Sequence, residues 1–167
     1  MAILPGPALA ADALVAELEQ GLASAGVESV NDYLSAHADS AMARFNRKTA
    51  SCELQAVSLA IRLARGANAR AVQAHEESLR AATGRCARFI LALVSAADVP
   101  RVCASQAAWG AAQTARELRR RMADIDADKL LRGTEQGQAC RAAYLDELKN
   151  TRVTLRVASP SPAAPAR

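Results

Sequence analysis

The sequence is poor in aromatic residues. Two Phe, two Tyr and one Trp make up 3% of 167 residues. They are too scattered for the base-stacking platform that grips single-stranded nucleic acid. Basic residues are missing from the first 43 positions, which carry six acids (Asp12, Glu17, Glu19, Glu28, Asp32, Asp39) and no Lys or Arg. Long apolar runs are missing too. The most apolar stretch, Phe89 to Val94, is bounded by Arg88 and Asp98. It falls far short of the ~20 residues that cross a bilayer, so no membrane span is expected.

Chemical motifs are equally sparse. The chain has no Gly-rich phosphate loop and no G-x-S-x-G. The segment Ala74-His75-Glu76-Glu77-Ser78 is not H-E-x-x-H, because Leu79 stands where the second His belongs. Asp124 to Asp128 alternates acids but lacks the glycine and terminal glutamate of a calcium loop. Cysteines form no C-x-x-C and no zinc-finger spacing with His, which argues against structural zinc and attached haem. The two histidines, His37 and His75, fall at opposite ends of the expected fold, and no Glu-x-x-His pair is present to build a di-iron site. Cys103 with His37 is the one Cys–His pair near a common depth. The expectation is no metal, no cofactor and no catalytic residues.

What the sequence does contain is helix former. Ala, Leu, Arg, Gln and Glu dominate, while β-branched and aromatic residues are scarce. This predicts an all-α protein, and 167 residues suffice for one domain with a core of its own. Start and stop signals mark a short first helix over about 10–23, ended by Gly26. Ser29 is the candidate N-cap of the next helix, whose stripe Val30, Tyr33, Leu34, His37, Met42, Phe45 meets a polar patch at 46–51 that kinks or restarts it. Leu54, Val57, Ile61 and Ala64 continue to Gly66. Asn68 caps a third helix with the clearest periodicity: Val72, His75, Leu79, Ala82, Cys86, Phe89, Leu93. Pro100 opens a fourth helix, running through Trp109, Leu118, Met122 and Ile125 to Gly133. Thr134 caps a fifth with Cys140, Tyr144 and Leu148 inward. Residues 151–157 alternate like a strand or extend that helix. Short connections predict antiparallel neighbours, hence an up-down helical bundle of four main helices plus a short N-terminal one. The domain is expected over residues 11–157, with a flexible Pro/Ala-rich tail at 158–167.

Leu4-Pro5-Gly6-Pro7-Ala8-Leu9-Ala10 has the turn and small-x-small pattern that ends an export signal, without the charged and apolar parts that precede it. Residues 1–10 are therefore read as the remnant of such a signal. This suits the even number of cysteines, since disulfides persist in exported proteins. At ~1.5 Å rise per residue, Cys52 and Cys86 differ by roughly 6 Å in depth, within reach of a disulfide. Cys103 and Cys140 lie at opposite ends and cannot pair unless the fourth helix breaks, at Trp109-Gly110.

The formal net charge is +4. The acidic N-terminal segment can lie against the basic remainder and neutralise it. Alternatively, Arg62, Arg65, Arg70, Arg119 and Arg120, expected at one end of the bundle, form a binding surface for an anionic partner. The function expected is a non-enzymatic, periplasmic or secreted protein-interaction module with an acidic protein as partner; a homo-oligomer is compatible. The alternatives are a cytoplasmic binder of nucleic acid or a storage granule, and an all-α enzyme whose site leaves no linear motif.

Overall fold

The computed structural model describes residues 13–158, with side chains to residue 151. Every regular element in this range is helical: α1 (Ala13–Ala36), α2 (Ala43–Ala50), α3 (Leu54–Leu63), α4 (Ala69–Leu93), α5 (Val99–Val102), α6 (Ala111–Ala127), α7 (Lys129–Arg132) and α8 (Glu135–Ala158). A π-helical turn, Ala38–Met42, leads into α2, and a 3-10 turn, Ala96–Asp98, into α5. The protein is all-α, and the segment after Asn150 continues α8 rather than forming a strand. No helix among the described residues is long and apolar enough to cross a membrane. Residues 1–10, read as a signal remnant, and the tail expected at 158–167 lie outside the described residues, except that Ala158 is the last residue of α8. Contacts divide the chain between Leu79 and Arg80, within α4, into two compact units. The expected single domain of residues 11–157 is described unit by unit.

In the first unit, Gly26 breaks α1 where the sequence places a stop. Its φ of 83° lies in the left-handed region that only glycine enters at little cost. The helix resumes directly, with Ser29 exposed and not acting as a cap. Leu14, Val15 and Leu18 are buried before the break, and Val30, Asn31 and Leu34 after it. Tyr33 and His37, expected inward, are exposed instead. His37 has left the helix (φ −115°, ψ 45°), and its Nδ1 sits 2.8 Å from the Tyr33 carbonyl. The polar patch restarts the helix as expected. Cys52 adopts φ 69°, while its N–H bonds the Thr49 carbonyl (2.9 Å) and the Glu53 N–H bonds that of Lys48 (3.1 Å). This is a Schellman stop with cysteine in the position glycine usually takes.

Asn68 caps α4, its Oδ1 accepting from Ala71 N–H at 3.1 Å. His75, Leu79 and Ala82 are buried as the heptad spacing predicts. At Cys86 the backbone departs from helical values (φ −136°, ψ 48°), and beyond it Ile90, Leu91 and Val94 are buried while Leu93 is exposed. The kink turns the helix, so the stripe does not run on as one seam.

In the second unit the expected fourth helix is not continuous. Pro100 does sit in the first turn of α5, but that helix stops at Val102, and residues 103–110 are irregular. The separation expected between Cys103 and Cys140 is thereby overturned: they form a disulfide with Cα atoms 5.3 Å apart. The break, over residues 103–110, includes Trp109-Gly110. Glu147 of α8 fixes the same segment, accepting from the Ser105 N–H at 2.9 Å and from its hydroxyl. Thr134 caps α8, accepting from Gly137 N–H at 3.0 Å. Helices α6 and α8 run antiparallel, since Arg121 meets Tyr144 while Asp126 meets Arg141.

Candidate functional site

Each unit holds one basic side chain at the centre of a buried polar group. In the first unit it is His75, which is fully buried. Asn31, on α1, donates its Nδ2 to the Leu63 carbonyl (3.0 Å), which fixes its Oδ1 as an acceptor for His75 Nε2 at 3.1 Å. Nδ1 lies 3.3 Å from Oδ1 of Asn46 on α2. A neutral ring donates from only one nitrogen, here Nε2 to Asn31, which leaves Nδ1 as an acceptor beside Asn46. The Phe45 ring stands edge-on to the imidazole, centroids 5.6 Å apart. Burial without a nearby anion lowers the His75 pKa from 6.5 to about 4. The group ties α1, α2, α3 and α4 together.

In the second unit the centre is Arg121 of α6, only 5% exposed. Its Nη1 donates to the Arg80 carbonyl (2.9 Å) and lies 3.4 Å from the Tyr144 hydroxyl. Its Cζ is 4.9 Å from the Trp109 ring centroid and 5.9 Å from that of Tyr144. Burial raises the Tyr144 pKa, the main influence on it, so the phenol stays neutral. Among the described residues no carboxylate reaches Arg121, and its buried Nε has no hydrogen-bond partner. Gly84 makes room for the guanidinium: a Cβ there would stand 2.6 Å from Nη2, 2.8 Å from Cζ and 3.0 Å from Nε. A pocket of about 250 Å³ opens beside it, with Arg85, Arg88, Asp124 and Asp128 on its walls. Arg88 pairs with Asp128 at 2.8 Å, and Asp124 with Arg120 at 2.8 Å. Asp128 also caps α7; the Leu131 N–H, foremost among its donors, holds its carboxyl below the usual range.

The arginines singled out from sequence are distributed between the units. Arg62, Arg65 and Arg70 belong to the first; Arg119 and Arg120 belong to the second. Arg62 pairs with Glu19 at 3.0 Å, so part of the acidic N-terminal segment does neutralise local basic charge. Arg120 lies between Glu117 (3.0 Å) and Asp124. Arg70 and Arg119 are exposed and make no ion pair among the described residues. All four cysteines are disulfide-bonded, Cys52 and Cys86 included. No group of three or more metal-ligating side chains occurs among the described residues.

Arg121 was not selected by the sequence pattern, which places Met122 inward. Both positions fit between Leu118 and Ile125 on a helical stripe, and apolarity favours methionine. The signal for arginine was the scarcity of aromatics: two of the five rings, one being the only Trp, stack on this one guanidinium. No family model, curated protein or solved structure matches the chain.

Proposed function

We propose that this protein is a periplasmic or secreted helical interaction module that binds an acidic protein partner and does not act as an enzyme. The observation that carries the reading is the oxidised state of all four cysteines. Disulfides of this kind persist where glutathione and thioredoxin do not reduce them. Cys52–Cys86 is the second bridge of this reading, beside Cys103–Cys140. Within each unit, successive helices follow an up-down order, as α6 and α8 do. The candidate contact residues are taken unit by unit, Arg62, Arg65 and Arg70 in the first and Arg119 and Arg120 in the second; Arg70 and Arg119 are the members that make no ion pair among the described residues.

The test has two parts. Fractionation of source cells, with thiol alkylation before lysis, should place the protein outside the cytosol with no modified cysteine; a cytosolic, fully alkylated protein overturns export. Immobilised protein should then capture an acidic protein from the matching fraction, with association slowing as salt rises. Arg70→Glu and Arg119→Glu, singly and together, should weaken capture while leaving Tm unchanged, since exposed charges contribute only ~0–1 kcal/mol to stability. Unchanged capture by the double variant removes these residues from the surface.

A further inference from the structure

We infer that the pocket beside Arg121 is a binding site for a small oxyanion, a carboxylate or a phosphate, held by Nη2 of Arg121 and by Arg85. The site does not depend on the partner surface proposed above.

A guanidinium cannot shed its proton, so burying one leaves a positive charge that the surroundings must compensate. Around Arg121 the compensation is incomplete. One carbonyl, one hydroxyl and two ring faces serve Nη1 and Cζ. Nε is buried without a partner, and Nη2 has no hydrogen bond to any described residue. Nε is sealed beneath the surface, so Nη2 is the nitrogen that can donate a charge-assisted hydrogen bond to an oxyanion in the pocket. Gly84 leaves the guanidinium clear, because any side chain there would collide with it.

The pocket walls give the same sign. Among their charged groups, Arg88 is matched by Asp128 and Asp124 by Arg120. What remains is Arg121 and Arg85; Arg85 is exposed and makes no ion pair among the described residues. Two uncompensated cations on a pocket of about 250 Å³ call for an anion of a few heavy atoms.

Trp109 is the only tryptophan and lies against Arg121, so its fluorescence reports the site. The oxidised full-length protein is titrated with inorganic phosphate and, separately, with succinate, at ionic strength held constant with sodium chloride. The expected result is a saturable change in Trp109 emission, matched by calorimetry, with one equivalent of at least one probe; the tighter probe identifies the source chemistry. Arg85→Ala, an exposed change, should weaken binding roughly tenfold or more, the effect of losing one charge-assisted hydrogen bond. Arg121→Lys keeps the charge but removes the Nη2 donor, and should weaken binding at least as much. If Arg121→Lys does not fold, Arg85→Ala decides alone. Emission that drifts without saturating for both probes, or an Arg85→Ala affinity equal to that of the parent, overturns the site.

Discussion

His75 and Arg121 are both basic, both buried and both central to their units, yet they are accommodated in opposite ways. The imidazole sheds its proton at a cost of a few pH units, and Asn31 accepts from the N–H that the neutral ring keeps. The guanidinium has no neutral form within reach, so its surroundings are ring faces, a carbonyl and a phenol, and one edge stays unmet. A buried base that can titrate becomes part of the scaffold. One that cannot keeps a charge available to a ligand.

The largest expected effect separates the two centres by their supports. Replacing both Cys103 and Cys140 by serine removes a bond that spans 37 residues of sequence, which in the chain-entropy model costs about 4 kcal/mol. The bond anchors the segment that carries Trp109, so hydrogen exchange should quicken in α6 and α8 while the amides around His75 keep their protection. Equal loss of protection at both centres would break the distinction.

Next in size is acid sensitivity. His75 binds a proton at about pH 4 when folded and near 6.5 when unfolded. Between these values the unfolded chain holds more protons, so stability falls as pH drops through this window. The loss should reach about 3 kcal/mol below pH 4, on a conversion of 1.36 kcal/mol per unit. Denaturant melts from pH 7.5 to 4 should show this slope in the parent and lose it in His75→Leu. A slope that survives His75→Leu belongs to other groups.

The smallest effects sharpen the comparison directly. Asn31→Ala strands His75 Nε2 and the Leu63 carbonyl, both buried, and should cost about 2 kcal/mol. Arg121→Met removes the unmet charge at similar volume and should leave stability within about 1 kcal/mol of the parent or raise it. Chemical denaturation of the two variants checks both. A large loss for Arg121→Met would mean that its contacts to Arg80 and Tyr144 stabilise the fold more than its burial costs.

Composition and local signals determined much by themselves. Helix formers with few β-branched residues set an all-α chain, and the stops at Gly26 and 46–51, the caps Asn68 and Thr134, and Pro100 at a helix start follow from local backbone chemistry. Such signals act within a turn or two and need no tertiary partner. Tertiary structure decided the rest. Val102 gives no stop signal of its own, and α5 ends there in a fold where Cys103 reaches Cys140 and Ser105 reaches Glu147. Cys86 carries no breaker chemistry, yet α4 kinks there, and the buried face shifts from Leu79 and Ala82 to Ile90 and Val94. Above all, the choice between Arg121 and Met122 for the interior depended on Trp109, Tyr144, the Arg80 carbonyl and the bare backbone of Gly84 meeting at one point. Helical periodicity admits either residue; only the assembled surroundings make burying the charged one tolerable.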